Sequence, residues 1–208
     1  MNTKITMNWI QAKSIEGLDS LGPVFTTKGG VYLWVYRGTP ERVYYVGLTN
    51  SNFKNRFIQH IGNQLSGSYK TFDLNVTLDS ALDFLKVAEL FVNPTDTMTA
   101  RILKSQNMKL LEMSDFYFAT PEISEPIQIE KPDKFLNEMM EGHITRICIE
   151  SYEGARLDKV SKNKYKFMNG HIKGSLYDKH FKYLEDHKIV IDHQGLPESL
   201  QYIHGLNK

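Results

Sequence analysis

Two tyrosines stand beside glycines in neighbouring runs, Gly30-Val31-Tyr32 and Tyr45-Val46-Gly47. A tyrosine hydroxyl can handle a proton. Its ordinary pKa of about 10 keeps the phenolate scarce at neutral pH unless a nearby cation or metal-bound water shares the charge. Downstream, Arg56 and His60 are four apart, which puts both on one face of a helix. A guanidinium grips phosphate through charge-assisted hydrogen bonds, and an imidazole contacts phosphate or assists proton transfer. Glu150 is a carboxylate able to hold a hard cation, since one carboxylate with water and substrate oxygens makes a reasonable magnesium site. Each group also has a plainer reading. The tyrosines could be a packed cross-strand pair, Arg56 and His60 a solvated helix face, and Glu150 the partner of Arg146 one turn earlier. Glu153 is the second choice of ligand.

These side chains need particular elements to position them. Val31 to Arg37 and Arg42 to Gly47 alternate and are rich in Val and Tyr, with a polar turn, Gly38-Thr39-Pro40-Glu41, between them. The spacing predicts an antiparallel hairpin. Asn52 is a good N-cap for a helix whose Phe53, Phe57 and Ile61 recur every four residues. Arg56 and His60 border that apolar stripe. Residues 1 to 28 form a lead-in, with a short helix over Ser14 to Leu21 that Gly22-Pro23 breaks. Leu78 to Val92 and Thr95 to Gln106 are largely helical, with Val87 to Val92 open as a strand, and Ser114 to Thr120, with Phe116-Tyr117-Phe118, is a third strand. A long helix from Lys134 to about Leu157 carries Glu150, and Ser175 to Lys188 is a final helix. Nothing repeats internally.

The order hairpin, helix, insertion, strand and helix, together with the two glycine-tyrosine tripeptides, Arg56 and His60, resembles the GIY-YIG nuclease superfamily. The resemblance covers roughly residues 29 to 62, and residues 114 to 164 more weakly. It implies an α+β fold: a small antiparallel sheet of about three core strands flanked by helices. Residues 1 to 208 would then be one nuclease domain, with an insertion at about 66–112 and a C-terminal extension at about 165–208. It implies Tyr45 as the group that activates the attacking water and Tyr32 as its orienting neighbour. Arg56 and His60 would act on the scissile phosphate, and Glu150 would hold magnesium, with manganese as a substitute. Gly47 would let the DNA backbone approach the sheet. Asn163 lies close to where relatives carry a structural or phosphate-contacting Asn.

The resemblance has departures. Twelve residues separate the two tyrosines, slightly more than is usual. The interval from Tyr45 to Arg56 is one residue longer than the commonest. Both surpluses are expected in turns. Leu48 stands where some relatives have a lysine.

The implied activity is hydrolysis of DNA phosphodiesters to 5′-phosphate and 3′-hydroxyl ends, by a stand-alone restriction-like or defence enzyme. A repair or structure-selective nuclease stays open. So do a silent nucleic-acid-binding module on the same scaffold and a small α+β interaction protein. The expected partner is double-stranded DNA, with a homodimer left open.

Composition sets the remaining bounds. The chain has 208 residues, 41% hydrophobic, with a formal net charge of +1. That supplies a full core and excludes bulk disorder. A single cysteine, Cys148, excludes a disulfide framework and a cysteine-based zinc cluster, and suits a reducing cytoplasmic setting. No apolar run is long enough to span a membrane. Since overall charge is near neutral, a DNA surface must come from local clustering. From Arg156 to Lys173 six cations face one acid, Asp158, with Tyr165 and Phe167 among them. Lys159, Lys162, Lys164 and Lys166 in that run could track a phosphate backbone, or form a solvated face.

Overall fold

A computed structural model describes residues 3–37, 41–66, 105, 107–126, 130–151 and 174–204. The fold is α+β, with two small sheets and packed helices. Strands β1 (Lys4–Asn8) and β2 (Ile10–Lys13) follow each other, and so do β5 (Ser114–Ala119) and β6 (Pro121–Ile123). β2 pairs antiparallel with β5 and β1 with β6. One antiparallel ribbon, interrupted near Trp9 and Thr120, thus belongs to both sheets. The lead-in is more structured than its sequence suggests, because Ile5, Met7 and Ala12 alternate inward onto two cores.

The larger sheet has the order β2-β5-β3-β4, with β3 at Gly30–Tyr36 and β4 at Arg42–Thr49. All its neighbours are antiparallel. The expected three core strands are present, extended by β2. The smaller sheet, β6-β1-β7, adds β7 (Val190–Gln194), which runs parallel to β1 from Lys4↔Val190 to Asn8↔Gln194. Gly30 opens β3 at φ +148°, and a Cβ there would collide with the Ala119 carbonyl oxygen. Only glycine allows the strands so close.

The two faces of β3 divide the interior. Val31, Leu33 and Val35 join a core with helix α3 (Pro132–Ser151), helix α4 (Gly174–Asp186) and the smaller sheet. Tyr32 and Trp34 join an aromatic core with Phe25, Phe53, Phe57, Phe116 and Phe118. Phe25 comes from α1 (Gly22–Thr27) and Phe53 and Phe57 from α2 (Phe53–Leu65). Gly22-Pro23 does not end helical structure: a 3₁₀ turn over Glu16–Leu21 passes into α1, with Pro in its first turn. Asn52 caps α2, its side chain accepting from the Asn55 N–H at 2.9 Å, an arrangement worth about 1 kcal/mol. At the far end, Gln64 Nε2 donates to Asn107 Oδ1 at 2.7 Å, tying α2 to the helical segment at 107–112. The stretch 67–104, which holds most of the proposed insertion, lies outside the described residues. Among those described, no helix is long and apolar enough to cross a membrane.

Candidate active site

β3 and β4 pair so that Tyr32 lies opposite Gly47 and Trp34 opposite Tyr45. The register then shifts between Trp34 and Val35, which faces Val43. Tyr44 is the extra residue of a β-bulge. The bulge brings Tyr44 and Tyr45 to the same side, both edge-on to Trp34 with ring centroids 6.0 and 5.8 Å away. One surplus residue between Tyr32 and Tyr45 is therefore absorbed inside a strand rather than in the turn. The Tyr32 and Tyr45 rings lie 6.0 Å apart.

The expectation that bare backbone at Gly47 admits DNA does not hold. A Cβ there would land on the Tyr32 ring, nearest its Cζ and Oη. Gly47 has no side chain because Tyr32 occupies the space.

α2 lays His60 beneath the tyrosines. The Tyr32 hydroxyl and His60 Nε2 are hydrogen-bonded at 2.9 Å, and the His60 ring is 5.4 Å from that of Tyr45. Burial pushes Tyr32 up to about 12, opposed by the Arg56 charge and by hydrogen bonds with Tyr45 and Arg56. Burial, helped by Arg56, lowers His60 to about 4. Both groups are uncharged at neutral pH. Tyr32 donates to Nε2 in one imidazole tautomer and accepts from it in the other. His60 is only 2% exposed, so direct contact with a phosphate, one of its two expected tasks, is closed to it. It reaches the site through its hydrogen bond with Tyr32 and its packing against Tyr45.

Arg56, one turn before His60, is half-buried, with Nη1 2.7 Å from Gln59 Oε1. Its charge acts on Tyr32, on His60 and on a carboxyl that the sequence reading did not select, that of Glu141. Glu141 belongs to α3. That helix is fixed against the β4–α2 junction by Asn137, whose Nδ2 donates to Asn50 Oδ1 at 2.9 Å. One turn on, Glu141 is half-buried. Burial pushes its carboxyl up to about 7, Glu138 adds to the rise, and Arg56 opposes it. A visible signal was the polar pair Asn137 and Glu141, four apart in a helix whose Met139, Met140, Ile144 and Ile147 are buried.

Glu150 sits near the end of the same helix. It lies about two and a half turns and roughly 13 Å beyond Glu141, on the opposite side of the helix axis at its Cα. The structure gathers Tyr32, Tyr45, Arg56 and His60, and sets Glu141 in the field of Arg56; the side chain of Glu150 lies outside those described. The expectations for Lys159, Lys162, Asn163, Lys164 and Lys166, and for Glu153, fall on residues outside those described.

No family model matches this chain, and no curated protein or solved structure matches it either.

The donor set limits which metal this site suits. Among the described residues there is no group of three or more His, Cys, Asp or Glu side chains able to hold a metal ion. Magnesium keeps most of its waters and takes one or two carboxylates with phosphate oxygens. A single partly desolvated carboxylate fits that pattern.

Proposed function

We propose that this protein is a magnesium-dependent DNA endonuclease of the GIY-YIG type, with Glu141 in the metal-binding role that the sequence suggested for Glu150. The observation that carries this reading is the convergence of Tyr32, Tyr45 and His60 with Arg56, whose charge also reaches Glu141. Tyr45 is the less buried tyrosine of the pair; it acts as the phenolate, its own proton having passed to solvent, and its oxygen takes one proton from the attacking water. Tyr32, held by His60 and raised by burial, stays neutral and fixes where Tyr45 and the water sit. Arg56 binds the scissile phosphate and stabilises the extra negative charge of the transition state. Water attacks phosphorus, the bond to the 3′ oxygen breaks, and that oxygen leaves as a hydroxyl after protonation from solvent. Glu141 would hold a magnesium ion, which neutralises charge on the phosphate and the departing oxygen.

The test is single-turnover cleavage of a long unmodified duplex DNA with magnesium. Tyr45→Phe keeps the ring and removes the proton-handling atom. Its rate should fall by about 10²–10⁴, as for the loss of a general base, with DNA binding unchanged. Tyr32→Phe should fall less. Equal rates for Tyr45→Phe and wild type would sink the assignment. Tight DNA binding by the wild type without cleavage would favour the silent binding module.

A further inference from the structure

Three polar residues stand four apart along α3: Asn137, Glu141 and Thr145. Residues at that interval form one ridge of a helix, with neighbouring Cβ atoms about 5–6 Å apart. The first anchors the ridge at the β4–α2 junction. Its Nδ2 donates to Asn50 Oδ1 at 2.9 Å and to the Thr49 carbonyl oxygen at 3.4 Å. The second carries the half-buried carboxyl in the field of Arg56. The third is 1% exposed, and its Oγ1 has no hydrogen-bond partner among the described residues.

A buried hydroxyl is nearly always hydrogen-bonded, and leaving one bare costs stability. A helical threonine often bonds the carbonyl oxygen four residues back, here that of Glu141, and Thr145 does not. Valine would fill the same space with no polar atom, so packing alone does not account for a threonine. A neighbour that needs the hydroxyl only when a ligand is bound does account for it, and Glu141 is such a neighbour. A carboxylate that holds a metal ion through one oxygen keeps lone pairs on the other. Carboxylates in that position are themselves held by hydrogen bonds from side chains behind them. Threonine has two accessible χ1 rotamers in a helix, so Oγ1 can turn along the ridge toward residue 141.

We propose that Thr145 is a positioning residue of the magnesium site: its hydroxyl donates to the Glu141 carboxylate when the ion binds and fixes which carboxylate oxygen meets the metal. This role rests on the reading of Glu141 as the magnesium ligand.

Two substitutions separate this role from a structural one. Thr145→Val keeps the branched shape and removes the hydroxyl, whereas Thr145→Ser keeps the hydroxyl and removes a buried methyl. The experiment is an EPR titration of the full chain with manganese, competed with magnesium, alongside urea unfolding in the absence of metal. Thr145→Val should unfold at the wild-type midpoint or above it, since an orphaned polar atom is gone, yet bind either ion about 10–100-fold more weakly. Thr145→Ser should unfold at a lower midpoint because of the void it leaves, yet bind both ions like the wild type. Glu141→Gln should lose the binding. Wild-type affinity in Thr145→Val, or equal weakening in the Val and Ser variants, would overturn the positioning role and leave Glu141 as the ligand. Undiminished binding by Glu141→Gln, or no binding by the wild type, would overturn the Glu141 reading itself, and this role with it.

Discussion

Glu141→Gln separates the electrostatics of the site from its chemistry. Burial and Glu138 move the Glu141 carboxyl from its ordinary 4.5 to about 7, against the pull of Arg56. That corresponds to about 3 kcal/mol between its two protonation states. The side chain keeps some solvent contact, so about 2 kcal/mol is the working figure. In the unfolded chain the group titrates near its ordinary value. Between pH 4.5 and about 7 the folded chain therefore binds more protons than the unfolded one, and stability falls as pH rises through that window. Gln mimics the neutral acid. The variant should match the wild type near pH 4 and exceed it by about 2 kcal/mol at pH 8, an increase in Tm of roughly 4–8 °C for a chain of this size. Urea unfolding at both pH values measures this. Magnesium adds a second arm. At ten times its dissociation constant it should return about 1.4 kcal/mol to the wild type at pH 8 and nothing to the variant. A variant no more stable than wild type at pH 8 would refute the desolvated carboxyl. A normal pH dependence with no response to magnesium would refute only the metal.

Gly47→Ala should destabilise by about 1–3 kcal/mol, because its Cβ meets the buried Tyr32 ring; an unchanged urea midpoint would show that the ring can move aside. Arg56→Ala should lower single-turnover cleavage by about 10²–10³ with a smaller effect on DNA binding, and near-normal turnover would return Arg56 to a solvated helix face. Neutralising Lys159, Lys162, Lys164 and Lys166 together should weaken binding to many DNA sequences alike and flatten its salt dependence, as fewer counterions are released; an unchanged slope in a filter-binding series would mark the run as plain surface.

Local chemistry was legible in the sequence wherever it acts over a few residues. Asn52 signalled the start of α2 and caps it. Alternation marked β3 and β4, the run Phe116-Tyr117-Phe118 marked β5, and the span from Lys134 anticipated α3. The misses arise where distant segments decide the outcome. β7 looks unremarkable at Val190 to Gln194 because its pairing partner is β1. Gly47 suggested an opening, but its neighbour across the strand, Tyr32, closes it. Glu141 was not selected, because what brings it near Arg56 is Asn137, one turn earlier, bonding Asn50 at the β4–α2 junction, a contact between distant segments.

The parallel pairing of β1 with β7 bears on the order in which the molecule can assemble. Lys4 finds Val190, so a strand made early by the ribosome waits for one made almost a full chain later. Until then β1 has one unsatisfied edge, and contacts of such long sequence separation form slowly. Ile5 and Ile191 lie in the same core as Met139 and Met140 of α3. The helix that carries Glu141 therefore completes its seat only when that late strand docks. The hairpin and α2 are close in sequence and can come together first, with the carboxyl fixed among the last features. Nascent or truncated chains lacking β7 would then present the tyrosines without the acid.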